Sequence, residues 1–94
     1  MKLFKSIDDK FAEIGFEKIG EDQYGVTYKR QPKGFNYIQQ LDIAHKSNEY
    51  NIVQSYDPNL NDKLGIGNTC VGLTAYEMKL CLQKMKQMGW KIKR

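Results

Sequence analysis

The chain has little cysteine, proline or histidine: two Cys, two Pro and one His in 94 residues, with no apolar run longer than three. Two cysteines without a CxxC pair exclude the disulfide framework of a small secreted domain and a cysteine-rich zinc site. Cys70 and Cys81 are therefore expected as free thiols, with Cys81 a small core residue on a helix. The single histidine, His45, stands beside a turn and supports no Ser-His-Asp arrangement. No run approaches the roughly 20 apolar residues that a membrane-spanning helix requires. The opening "MKLFKSIDDKF" places Lys5, Asp8 and Asp9 where a secretory signal needs an apolar stretch, so the expectation is a cytoplasmic protein with no membrane contact.

What remains is ordinary globular material. Residues 1–94 are one domain's length, enough to bury roughly 60–65% of the unfolded surface in a single core but not to enclose a deep cleft. The chain is 40% apolar and 28% charged, and its eleven aromatics are too many for a disordered segment. The net charge of +4 is unevenly spread. Residues 1–74 hold nine Lys/Arg against ten Asp/Glu, whereas residues 75–94 hold six against one.

The hydrophobic period changes along the chain. Leu3, Phe4, Ile7, Phe11 and Ile14 recur at helical spacing, Gly15 supplies a left-handed stop, and Phe16 can fold back on Phe11. Ser6 with Asp9 would cap a helix beginning at Ile7, but the stripe through Leu3 and Phe4 favours a longer one. From 16 to 56 the period is two. "FEKIG", "YGVTYKR", "FNYIQQLDIAH" and "EYNIVQSY" read as strands joined by the turn-rich "GEDQ", "QPKG" and "HKSN", hence antiparallel hairpins. Alternation assigns Tyr24, Val26, Tyr28, Phe35, Tyr37, Leu41, Ile43, Tyr50, Ile52 and Tyr56 to one face. Thr27, Lys29, Gln40, Asp42, Asn51 and Ser55 fall on the other, which faces water. A connection follows at 57–72. In the last helix Thr74 and Glu77 form a capping box, Leu73 and Met78 a hydrophobic staple, and Ala75, Met78, Cys81, Leu82, Met85 and Met88 the buried stripe. Gly89 ends it, with Trp90 returning onto Met85.

The fold class that results is α+β, in the order α-β-β-β-β-α, with both helices on the apolar face of an antiparallel sheet of about four strands. Its core takes Phe4, Ile7, Phe11, Ile14, Tyr24, Val26, Tyr28, Leu41, Ile43, Ile52, Leu82, Met85 and Trp90.

Function is harder to reach. "KGFNYIQQ" matches an RNA-recognition signature at Lys33, Gly34 and Phe35 but fails at Asn36 and Gln40, and parity turns Phe35 and Tyr37 inward, away from any base. "GNTCVGLT" has P-loop spacing, but Leu73 stands where lysine should contact phosphate. "DPNLND" begins like a calcium loop, yet Asp62 replaces the required glycine and Asn68 the bidentate glutamate, so a turn at Pro58 and Asn59 is expected. The carboxylate pairs Asp8–Asp9 and Glu21–Asp22 point apart or lie in a turn. No catalytic residue, metal ligand or cofactor site is assigned, and no enzyme is expected. Lys79, Lys84, Lys86, Lys91, Lys93 and Arg94 form the one candidate site, a basic helix end and tail that would grip nucleic-acid phosphates. The competing reading is a solvated helix end, where lysines are favoured by the macrodipole.

The segments "IGFEKI", "YGVTYKR" and "LTAYEMKLCLQKMKQMGW", in this order and at this length, resemble the small proteins encoded by phages and mobile elements of Gram-positive bacteria. The resemblance is one of layout across nearly the whole chain and transfers no functional residue. It implies a cytoplasmic accessory protein that acts by binding. The leading expectation is thus a protein-interaction module using the wet sheet face, a strand edge or the 57–72 loop. Nucleic-acid binding through the basic end is the alternative, and pairing of strand edges would give a homodimer.

Overall fold

The computed structural model describes residues 5–35, 37–47, 50–59 and 70–90. Helix α1 (Ile7–Glu13) is followed by strands β1 (Glu17–Asp22), β2 (Gly25–Arg30), β3 (Gln39–Ser47) and β4 (Tyr50–Tyr56), then helix α2 (Ala75–Gln87). The strands form one antiparallel sheet in the order β1-β2-β3-β4. The α+β layout is the one that the periodicities indicate, and no described helix is long and apolar enough to cross a membrane.

Both helices start and stop by the same local chemistry. Ser6 and Asp9 close a capping box on α1, and Thr74 and Glu77 close one on α2. At the other ends Gly15 (φ 94°) and Gly89 (φ 80°) take the left-handed conformation that costs a side-chain-bearing residue about 1 kcal/mol or more. The next amide then reaches back five residues, Phe16 N–H to the Phe11 carbonyl and Trp90 N–H to the Met85 carbonyl, each at 3.0 Å. The Phe16 ring meets Phe11 edge-on at 5.8 Å. The first helix is therefore the shorter alternative: the Ser6 cap fixes its start at Ile7, and Leu3 and Phe4 lie outside the described residues.

The core comprises Phe11, Phe16, Val26, Tyr28, Leu41, Ile43, Leu80, Cys81 and Met85, with Ile7, Ile14, Leu73 and Trp90 packed at its margin. Phe11 stacks on Tyr28 at 4.2 Å. Cys70 is exposed and Cys81 buried, and the two are not joined in a disulfide.

Four side-chain placements differ from the sequence reading. Tyr24 is 63% exposed because it sits in the β1–β2 turn, not in the strand. Asp22 Oδ1 accepts from the Tyr24 and Gly25 amides (2.8 and 3.0 Å), which moves the turn past "GEDQ". Phe35 is also exposed, since β3 begins only at Gln39 and the Phe35 amide turns back to the Pro32 carbonyl. Phe35 and the half-buried Tyr37 contact each other at 5.5 Å ahead of the sheet rather than within it. On β4 the faces are exchanged. Leu41 pairs with Ser55 and Ile43 with Val53, so Val53 and Ser55 share the helix-covered side. Ile52 and Tyr56 lie on the open face, where Tyr56 OH donates to Asp42 at 2.7 Å.

The fourth difference is the rotation of α2. It buries Glu77, Leu80, Cys81, Lys84 and Met85, while Met78 and Leu82 remain about half exposed. The expected stripe is displaced because two buried charges claim positions on the inward face. Lys84 Nζ reaches Glu21 at 2.6 Å and Asp8 at 3.2 Å, and donates to Gln87 at 2.9 Å. Glu77 Oε2 takes Arg30 at 2.6 Å. With those charges paired inside, helical geometry places Met78 and Leu82 on the flank.

Candidate functional site

The flank of α2 that carries Met78 and Leu82 faces β4, and an apolar groove runs between them. Val53 and Ser55 line it from the strand, Met78, Cys81 and Leu82 from the helix, and Val71 and Leu73 from the segment that leads into α2. Its volume is about 410 Å³. Met78 is 55% exposed, Leu82 47% and Val53 36%. Three sizeable apolar residues left partly in water around one depression form a contiguous patch, whereas scattered ones would need no explanation.

The segment at 70–73 is held from the strand side. Cys70 bridges Tyr56 in antiparallel fashion, and the Val71 amide donates to the Ser55 carbonyl at 2.9 Å. Val71 and Leu73 of this segment are thereby held as lining of the groove. The β3–β4 hairpin carries His45, whose Nδ1 lies 2.8 Å from Asn51 Oδ1 and whose ring stacks on Trp90 at 5.3 Å.

Two ionic clusters fix α2 in this rotation. In the first, Asp8 from α1 accepts from Tyr28 OH at 2.6 Å, Lys18 at 3.0 Å and Lys84 at 3.2 Å. Burial pushes the Asp8 pKa up, but those hydrogen bonds and the Lys84 charge outweigh it and hold the carboxyl down at about 2. The Tyr28 hydroxyl shifts upward through burial and its bond to Asp8. In the second cluster Arg30 donates to Gln39 Oε1 at 3.0 Å, to the Ile14 carbonyl at 2.9 Å and to Glu77, and lies 4.2 Å over the Phe16 ring. Gln39, fully buried, passes a bond on to Ser55 Oγ at 2.8 Å.

The described cations of the basic end are not one surface. Lys84 is buried and its charge is spent on Asp8 and Glu21, so the sequence reading of Lys84 as a solvated phosphate ligand is corrected. Lys79 and Lys86 are exposed. Lys91, Lys93 and Arg94 lie outside the described residues. Phe35 and Tyr37, although not buried as expected, are off the sheet face where RNA bases would stack.

The open sheet face is polar and already engaged. Asp42 accepts from Thr27 Oγ1 at 3.0 Å, Gln40 Nε2 at 3.1 Å and Tyr56 OH at 2.7 Å, which leaves its carboxylate little capacity for a ligand. Asp57 is buried and accepts from the Asn59 amide at 2.9 Å, the turn chemistry expected of "DPN". Among the described residues no group of three or more His, Cys, Asp or Glu could hold a metal ion. Burial pushes the Cys81 thiol up to about 12, so it is protonated at neutral pH and a poor nucleophile.

Comparison of the chain with protein-family models, with curated proteins and with solved structures finds no match. The groove was not visible in the sequence because it depends on a rotation of α2, which keeps Cys81 and Met85 inside but turns Met78 and Leu82 out, and on an exchange of faces on β4. The nearest signal was the run "VQS": Val53 breaks the alternation of Tyr50, Ile52 and Tyr56.

Proposed function

We propose that the chain is a small non-enzymatic accessory protein that binds another protein through the groove between α2 and β4. The observation that carries this reading is the partial exposure of Val53, Met78 and Leu82 around one apolar depression. Burying such side chains fully contributes roughly 1.5–3 kcal/mol each, so leaving them half in water forgoes stability that a partner would restore. The resemblance in layout to phage and mobile-element proteins, read from the sequence, is in keeping with a cytoplasmic accessory protein of this kind. Nucleic-acid binding is less well supported, since Lys84 is withdrawn from the basic set and the aromatics do not form a stacking platform.

The test is site-specific photo-crosslinking of the full chain in cells of its native host. A photoreactive residue at position 82 should give a defined protein adduct. The same residue at the exposed Gln31 should not, and Val53→Glu should abolish the adduct. Adducts to nucleic acid, or equal adducts from both positions, would overturn the reading.

A further inference from the structure

The rim and the shape of the groove narrow what fills it. We infer that the occupant is an acidic amphipathic helix of a partner protein, lying between α2 and β4; this rests on the reading of the groove as a docking site. Two helices cover the sheet, and the strip beside α2 leaves Val53 and Ser55 as floor. A third helix, about 10 Å across, is the element that completes such a layer. An added strand fits less well. The backbone of β4 at Ser55 and Tyr56 is already paired to residues 70 and 71, so recognition there must proceed through side chains. A helix that presents apolar residues at three- and four-residue spacing supplies them.

Charge selects among such helices. Lys79 and Lys86 are seven residues apart and so lie on one side of α2, three residues before and four residues after Leu82, which makes both its neighbours on the helix surface. Both are exposed, and neither forms an ion pair among the described residues. The lone carboxylate of α2, Glu77, is buried against Arg30. No acidic residue lies on β4, and Asp57 just beyond it is buried. Among the described residues this side of α2 is therefore cationic with no counter-charge, and a helix with glutamate or aspartate beside its apolar stripe complements it. Phosphates would match the lysines but gain nothing from Val53 or Leu82.

The test selects displayed 16-residue peptides against the full chain, with apolar residues fixed at helical spacing and the flanking positions randomised. The Leu82→Glu chain serves as counter-selection. Selected peptides should carry acidic flanks. By fluorescence anisotropy at low salt they should bind about five- to tenfold tighter than the same peptides with lysine flanks, as two exposed ion pairs would give. Lys79→Glu with Lys86→Glu should reverse that order. Neutral or basic winners would overturn the acidic helix while leaving the docking site intact. No winner that depends on Leu82 would overturn both. Unfolding midpoints of Leu82→Glu and Met78→Glu should match the unaltered chain; a core-sized loss would show that the protein fills the groove itself and would also overturn the inference.

Discussion

Asp8 keeps its charge in a setting where burial works against it. The folded state binds its proton less readily than the unfolded chain does, because Tyr28, Lys18 and Lys84 all donate to the carboxylate. Protonation therefore favours unfolding. This contribution is fully present above about pH 4, the ordinary carboxylate range, and is lost as pH falls toward 2, where the folded group titrates. Asp8→Asn should flatten that part of the acid-unfolding profile and cost about 1–2 kcal/mol at pH 7, a modest figure because the side chain is 33% exposed. Lys84 is the more demanding residue. Lys84→Ala takes from Asp8 and Glu21 the buried one of their two lysine partners, Lys18 being the other, and should cost about 1–3 kcal/mol in urea titration, more than any exposed lysine of α2. A cost below about 0.5 kcal/mol would mean that Lys84 is solvated after all. Its burial was not legible locally. A lysine amid "LQKMK" reads as surface, and its partners Asp8 and Glu21 lie far back in the chain, the former 76 residues away.

At the scale of the element, start and stop signals were legible because they are short-range. The Thr74–Glu77 box and the Gly15 and Gly89 stops each involve residues within one or two turns of each other. Rotation and strand facing were not, because distant partners decide them. The apolar alternation of β4 matched Tyr50, Ile52 and Tyr56, yet its pairing with β3 placed Val53 and Ser55 beneath the helices. A one-residue change of parity exchanges every side chain between faces. Glu77 shows how one residue serves both levels: Oε1 accepts the Thr74 amide at 2.9 Å while Oε2 holds Arg30. Glu77→Ala should accordingly cost about 3 kcal/mol or more, well beyond the ~1 kcal/mol of a lost cap measured by Thr74→Ala. Equal costs would show that the Arg30 pair contributes nothing.

For the whole molecule, the order of elements and the single sheet follow from two periodicities and a set of turns, and these survived side-chain misplacement at Tyr24, Phe35 and Tyr56. What the sequence did not reveal is where the two layers fail to cover each other. That gap is the groove, and it arises because α2 turns its charged positions inward and leaves Met78 and Leu82 beside β4. On α2 the exposed lysines are Lys79 and Lys86, and the proposed protein-binding role predicts that gel shifts with duplex or single-stranded DNA or RNA at low salt show no complex. A shift that fades steeply with salt would restore the basic-end reading. The most direct measurement compares Leu80→Ala with Leu82→Ala in urea unfolding. About 3 kcal/mol should be lost at Leu80, which is 1% exposed, and less than about 1 kcal/mol at Leu82, which is 47% exposed. A larger loss at Leu82 than at Leu80 would contradict the rotation of α2, and with it the groove.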